Sequence, residues 1–360
     1  MAGLQEVLLS PNTMESVTLP MVRYRIAFEV TEPVHLPEYS GSTIRGAFGG
    51  ALRRVACMPR QKDCKACPLY RSCPYTDIFE TPPPEEHTLQ KFSQIPNAYV
   101  IEPPNWGART YENGETLEFH FVLFGRALYH LALVVFAFQR AFSRDVGRGK
   151  AVFKTLFAEY PTGDVCVLDG EKDCIREHVP ETTMPLPQGI EIVLKVTTPL
   201  RLQKNGRPLR SEEITARGLL TAMMRRTALI YEFQCRTPLG LDFAGLAEAA
   251  EGVALASHLT WRDWARYSNR QDRRMSLGGV VGDRLHRACG VCDACPRGQE
   301  LDLRTRTGLI GVKKWPLNSR LLSSRHRMTA DSRMLWTSLV MLLKGPLRAS
   351  SAAYAARLEI

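Results

Sequence analysis

Four cysteines fall within 17 residues in the spacing Cys57-x6-Cys64-x2-Cys67-x5-Cys73. Four thiolates can surround one Zn²⁺ tetrahedrally with sulfurs about 2.3 Å from the metal. The Cys64-x2-Cys67 pair supplies the tight turn of a zinc knuckle, and Pro68 and Pro74 stiffen the chain behind two of the ligands. Such a site is structural: it holds together a short insertion with little core of its own. The same donor set suits an iron–sulfur cluster. Zinc is the preferred occupant because a structural role needs no redox partner. The bland alternative, four unrelated thiols, fits poorly with so close a spacing. The N-terminus MAGLQEVLLS lacks the basic start and apolar core of a secretion signal, so a reducing, cytoplasmic compartment is expected.

A second chemistry is phosphate binding. Glycines let backbone N–H groups approach a phosphate, and arginine forks hold it bidentately. Gly278 and Gly279 follow Arg270, Arg273 and Arg274, and Gly147-Arg148-Gly149-Lys150 repeats the composition. Ordinary solvated loops would look the same, so each segment alone weighs evenly between the two. Tyr267 is a candidate base-stacking residue, although an aromatic in a strand more often packs in a core. The net charge of +10 points the same way, but its distribution matters. Residues 283–360 hold 14 Lys/Arg and 6 Asp/Glu, leaving 33 basic and 31 acidic residues in the first 282. A nucleic-acid surface in the body must therefore be local.

These residues need elements to position them. Apolar and polar residues alternate through Val22, Tyr24, Ile26 and Phe28, a strand pattern. Ile44, Phe48, Leu52 and Val55 then recur at helical spacing, with Ser40 or Ser42 as N-cap. Gly46, Gly49 and Gly50 lie inside that helix. Each costs up to about 1 kcal/mol against alanine, which predicts close packing on the backbone. Strands are expected at 98–102 and 116–124, a helix at 127–142, and another strand after the 145–150 loop. From 185 onward the pattern restarts: a strand at 190–197, an amphipathic helix at 211–233 with a capping box at Ser211–Glu213, a strand at 260–267, and a loop at 268–282. Strand, helix, then strands, twice over, suits an α+β fold of two tandem ferredoxin-like (RRM-like) β-α-β-β-α-β units. The boundaries are 1–180, with the cysteine knuckle inserted at 57–80, then 181–282, then a basic tail at 283–360. No segment reaches the roughly 18 apolar residues of a membrane helix.

Three segments in this order carry a family resemblance: Gly41-Ser42-Thr43-Ile44-Arg45-Gly46-Ala47-Phe48-Gly49 with the knuckle and Pro74-Tyr75; Thr198-Pro199-Leu200-Arg201 with the Arg225-Arg226 helix; and Arg266-Tyr267-Ser268-Asn269-Arg270-Gln271 with Met275 to Gly282. Together, over about residues 20–282, they resemble the CRISPR precursor-RNA-processing endoribonucleases of the RAMP superfamily, in the branch with a four-cysteine insertion. The resemblance implies binding of CRISPR repeat RNA (pre-crRNA), partnership with CRISPR effector-complex subunits, and cleavage without a catalytic metal. In that chemistry the ribose 2′-hydroxyl attacks its own phosphate in line, leaving a 2′,3′-cyclic phosphate. Many members place a histidine directly after Gly-Ala-Phe-Gly; this chain has Gly50 there. His35 and Tyr39, at the entrance to the same helix, are the substitute acid–base candidates, and Arg45 the candidate for stabilising the phosphorane. The RNA-binding set is Arg45, Arg53, Arg148, Lys150, Arg266, Arg270, Arg273, Arg274, Gly278 and Gly279. The missing histidine also motivates an RAMP subunit that binds RNA without cutting it. A metal module unrelated to RNA is the third alternative.

The resemblance further implies that a strand, a short helix, a Gly-Lys-x-x-Thr-x-Phe-Gly-type loop and a closing strand should follow Gly282. The tail shows none of them. Read one base later, the codons of residues 298–307 can spell Gly-Lys-Asn-x-Thr-Phe-Gly-Leu-Gly-Arg, with Lys or Arg forced at the second place. The tail is therefore expected to be the product of a reading-frame shift, with Cys289, Cys292 and Cys295 an accident of translation. A genuine extension, with a docking helix at 332–344, is the alternative.

Overall fold

The computed structural model describes residues 19–61, 63–84, 95–160, 162–171, 174–180, 193–236, 243–251, 253, 255–268, 273–286, 301–302 and 311–312. The order begins β1 (Met21–Glu32), β2 (Val34–Leu36), α1 (Gly41–Ala56), α2 (Pro74–Phe79), β3 (Tyr99–Glu102), β4 (Arg109–Tyr111) and β5 (Thr116–Phe124). After a 3-10 turn at Gly125–His130 come α3 (Leu131–Phe142), β6 (Lys150–Glu159) and β7 (Val165–Asp169). The five long strands form one sheet in the order β3-β5-β1-β6-β7, and each neighbouring pair is antiparallel. In chain order these elements run β1-α1-β3-β5-α3-β6, with β1 between β5 and β6 in the sheet, a mixed α and β arrangement on antiparallel strands.

Alternation along β1 explains why the sheet has two unlike faces. Tyr24, Ile26, Phe28 and Val30 join a core with Phe48 of α1 and Phe138 and Phe142 of α3. The rings of Phe28 and Phe142 stack at 4.2 Å, and those of Phe48 and Phe138 at 4.4 Å. Arg23 and Arg25 point to the opposite face, where His120 pairs across from Arg25.

The second unit holds β8 (Val193–Leu200), the short ribbon β9 (Gln203–Lys204) and β10 (Arg207–Pro208), α4 (Ala216–Cys235), α5 (Phe243–Glu251), β11 (Ala256–Ser268) and β12 (Arg273–His286). Beyond it, β13 (Leu301–Asp302) pairs with β14 (Gly311–Val312). Its antiparallel sheet runs β11-β12-β8. This is the order that β3, β5 and β1 take in the first unit. Two expectations change here. The helix expected from 211 is split: Ser211–Glu213 is a 3-10 turn closed by Glu213 accepting from the Arg210 amide at 2.8 Å, and α4 starts on Thr215, whose hydroxyl accepts from the Gly218 amide at 3.0 Å. The loop expected at 268–282 is mostly strand, because Arg273 to Gly282 extend the hairpin with β11.

The two units share an apolar seam. Ile230 of α4 packs with Leu19, Met21, Val122 and Phe124 on the outer face of the first sheet. At Gly125 (φ 51°) an added Cβ would overlap the Gln234 carbonyl, so only glycine permits this approach. The Gln234 side chain donates to the Pro96 carbonyl at 2.9 Å. Among the described residues, no helix is long and apolar enough to cross a membrane.

Candidate nucleic-acid interface

The predicted residues fall into separate places. His35 lies exposed on β2, with Nδ1 2.9 Å from Thr110 Oγ1 on β4. Its amide donates to the Gly147 carbonyl at 2.9 Å. Gly147 has φ 60° and touches the His35 backbone so closely that a Cβ would overlap it. The tight 146–149 turn thus sets exposed Arg148 beside His35, with Arg148 itself in the left-handed region at φ 66°. Lys150 follows, paired with Glu32 at 2.7 Å.

Tyr39 has a different setting. It is 6% exposed, packed between Trp106 (5.3 Å) and Trp264 of β11 (5.7 Å). Its hydroxyl lies against Gly41, where an added Cβ would come within 2.6 Å of it. Its ring is therefore part of the contact between units, which Arg262 reinforces by reaching Glu38 at 3.5 Å. Arg45 lies over the Phe79 ring at 4.2 Å, and Arg53 donates to the Gln61 carbonyl at 2.6 Å. Both arginines are thus occupied where α1 meets α2 and the knuckle.

Packing accounts for several glycines, and not always as expected. Gly49 must carry no side chain, because a Cβ would overlap Phe79. Gly46 has nothing within 4 Å, and Gly50 meets only Arg54 at 3.4 Å. The expectation of close backbone packing holds for Gly49 alone of the three. Gly278 and Gly279 are buried inside β12. The Trp261 ring covers Gly278, Pro199 abuts Gly279, and Arg210 stacks on Trp261 at 3.8 Å. Arg201 donates to the Gly278 carbonyl at 3.1 Å. These glycines sit in a strand and not in an open phosphate loop. Arg266, Arg273 and Arg274 lie on this hairpin, where Arg266 is opposite Met275 and Tyr267 opposite Arg274; their side chains, and Arg270 altogether, lie outside the described residues.

The knuckle winds through short turns: the Cys67 amide donates to the Cys64 carbonyl at 3.1 Å and the Cys73 amide to the Leu69 carbonyl at 2.8 Å. Cys73 caps α2, and the Thr76 hydroxyl donates to its carbonyl at 2.9 Å. All four thiols are free and half-buried. Burial pushes the Cys64 thiol up, with Glu80, Cys57 and Cys73 adding to the rise and Arg53 opposing it. The donors are chemically right for zinc, but among the described residues no three His, Cys, Asp or Glu side chains form a set able to hold a metal.

Two features carry no sequence signal. On the outer face of the first sheet, Glu159 accepts from Arg23 and from Arg25 (2.9 Å), and His120 lies 3.4 Å away. Glu102 pairs with Arg23 at 2.6 Å, while Asp164 and Glu118 pair with Arg25. Four carboxylates against two guanidiniums make this a face that repels phosphate. Elsewhere, Asp77 of α2 is gripped by Arg126 at 2.7 Å and by His130 Nε2 at 3.3 Å. Burial works against its ionisation, but His130, Arg126 and Arg236 outweigh that and hold the Asp77 carboxyl below the usual range.

A family model described as AF_1859_N, N-terminal domain, matches residues 19–179. That is less than half of the chain and coincides with the first sheet and its helices. Comparison with curated proteins returned no match. Among solved structures, the chain is similar to a Cas6 product complex at 14% identity and a TM-score of 0.41, over 76% of this chain and 86% of that one. It is similar to a partial Cas6-RT-Cas1–Cas2 complex at 13% and 0.40, over 75% of this chain and 40% of that one. A RAMP protein binding different RNA substrates is similar at 8% and 0.34, over 75% and 89%. Scores of this size do not decide function.

Proposed function

We propose that this chain binds CRISPR repeat RNA and cleaves it through the ribose 2′-hydroxyl, releasing guide RNAs within a CRISPR system. The observation that carries the reading is the recurrence of one strand order: β1-α1-β3-β5 in the first unit and β8-α4-β11-β12 in the second, attached to the glycine-arginine segments named above. In this reading His35, exposed and steadied by Thr110, accepts the 2′ proton. Arg148, presented beside it by the 146–149 turn, faces the phosphate. In-line attack needs the sugar held, a base for one proton and cationic stabilisation of the phosphorane, and asks for no metal. Incubation with repeat RNA in EDTA tests it: cyclic-phosphate ends are expected, with loss of cutting in His35→Ala. Intact RNA after prolonged incubation overturns cleavage.

A second reading, an RNA-binding RAMP subunit without nuclease activity, is favoured by Gly50 at the family's histidine place and by Tyr39 being used in packing. Tight binding with no cut would select it. For the knuckle we infer one structural zinc ion on Cys57, Cys64, Cys67 and Cys73 from their close spacing and the Cys64–Cys67 turn; binding it requires the four thiols to draw together from the arrangement described above.

A further inference from the structure

The ribbon of β9 and β10 turns at Asn205 (φ 52°) and Gly206 (φ 74°), both left-handed, as a tight two-residue hairpin requires. Its base is fixed by Leu202 and Leu209, which are buried in the core of the second unit and joined by the Leu209 amide donating to the Leu202 carbonyl at 2.8 Å. Lys204 pairs with Arg207 across the ribbon, and the same register carried to the base sets Arg210 opposite Arg201. Residues 201–210 thus hold four cations, Arg201, Lys204, Arg207 and Arg210, and no carboxylate. In a body nearly balanced in charge, that run is a local excess.

Two of the four cations converge on one place. Arg201 donates to the Gly278 carbonyl at 3.1 Å, the Trp261 ring covers Gly278, and the Arg210 guanidinium lies 3.8 Å over that ring. Among the described residues, neither guanidinium is in an ion pair. The carboxylates that touch this group are in use. Glu213 lies in the field of Arg210 but engages both oxygens on Arg207 and the Arg210 amide, and Asp263 accepts from Trp261 Nε1 at 2.9 Å. Arg201 is half-buried, with its Nε buried and unbonded, and burial lowers its pKa with no carboxylate opposing. Arg210 is exposed. Like charges directly opposite one another on paired strands are destabilising, and a half-buried cation costs free energy until a counter-ion meets it. The pair therefore calls for an anion from outside the chain.

Guanidinium forks match phosphate oxygens. Exposed Lys204 and Arg207 continue the positive edge to the tip of the ribbon, which suits a chain of phosphates better than a single anion. β11 runs on from Trp261 to Arg266, so the pair adjoins the β11–β12 hairpin of the candidate interface. We propose that Arg201 and Arg210 together hold one phosphate of an RNA backbone at the base of the β9–β10 ribbon. That the RNA is CRISPR repeat RNA rests on the function proposed above; the phosphate site does not.

The test measures binding of the full chain to repeat RNA by fluorescence anisotropy across a salt series, and to tripolyphosphate and poly-glutamate by isothermal titration calorimetry. Arg210→Gln should weaken RNA and tripolyphosphate about tenfold by removing a charge-assisted contact. It should also lower the salt slope for RNA by about one. Arg210→Lys, which keeps the charge and loses the fork, should fall between. Arg201→Gln should act like Arg210→Gln; should it lower the melting temperature, the exposed Arg210 variants decide alone. Arg217→Ala, on α4 and paired with Glu251, should change neither affinity. Full affinity and an unchanged slope in Arg210→Gln would overturn the proposal. So would poly-glutamate bound as tightly as tripolyphosphate and as sensitive to the substitution, which would mark a surface for acidic protein. Tripolyphosphate binding that the substitutions weaken, with no RNA bound, would remove the RNA reading and leave the phosphate site standing; repeat RNA bound at full affinity by both glutamine variants would do the reverse.

Discussion

Glu159 shows how much a single side chain can hold on this scaffold. Its side chain is fully buried, and it gathers Arg23, Arg25 and His120. Burial alone would raise its pKa, yet the His120 hydrogen bond and the two arginines outweigh burial and leave the carboxyl below its ordinary value. The sign follows. A carboxyl depressed in the folded state stabilises above its unfolded pKa, and that stability is lost as pH falls through the folded value. Glu159→Gln should cost about 1–3 kcal/mol at neutral pH: Arg23 keeps Glu102 and Arg25 keeps Glu118 and Asp164, but both lose their buried partner. Urea denaturation checks this, and the variant should lose less stability than the parent between neutral and acid pH. At the knuckle, Cys64→Ser should release the inferred metal and lower the melting temperature. Folded protein found free of zinc and iron by elemental analysis would remove that inference.

At the scale of the element, α1 separates glycines that packing demands from glycines it does not. Gly49→Ala drives a methyl into the Phe79 ring and should destabilise by about 1–3 kcal/mol. Gly46→Ala meets open space and should stabilise by up to about 1 kcal/mol through helix propensity. Thermal melts of the pair read both signs at once, and a stabilised Gly49→Ala would contradict the packing described. A Gly46→Ala protein that is stable but weak in RNA binding would show that this bare stretch of helix serves a ligand. The β11–β12 hairpin makes a similar point. Its glycines fit beneath Trp261 and against Pro199, so Gly278→Ala should disturb folding before it disturbs any phosphate contact.

For the whole molecule, charge placement directs where RNA can lie. The carboxylate-rich sheet face of the first unit turns phosphate away, and α4 covers its upper part. Binding should therefore be salt-sensitive and carried elsewhere, with the slope of log affinity against log salt falling by about one for each arginine contact removed. Arg148→Ala and Arg274→Ala should each do so. A slope unchanged in both would remove the 146–149 turn and the β11–β12 hairpin from the interface. Cleavage should persist in EDTA and fail on a substrate with 2′-deoxyribose at the cut site. The proposed frame shift after Gly282 is decided at the gene: β12 continues to His286, and the remaining tail apart from two short strand pieces lies outside the described residues.

What the sequence determined by itself is local and periodic. Alternation through Val22–Phe28 sets β1, apolar spacing from Ile44 to Leu52 sets α1, and β5 and β6 fall where their patterns place them, because burial on one face imposes a period of 2 or 3.6 on the residues that pay for it. The candidate phosphate residues were legible as types, since glycine and arginine carry their chemistry with them. Their partners were not. Whether Gly46 is open and Gly49 closed depends on Phe79, 30 residues away along the chain. Tyr39 looks like an acid–base candidate until Trp106 and Trp264 enclose it. Asp77, Arg126 and His130 share no motif and meet only because α2 packs against the 3-10 turn of the first unit, and Arg236 joins them only because the second unit docks there. Contacts of long sequence separation leave no periodic trace, so the fold alone decided which of the legible residues face solvent and which face each other.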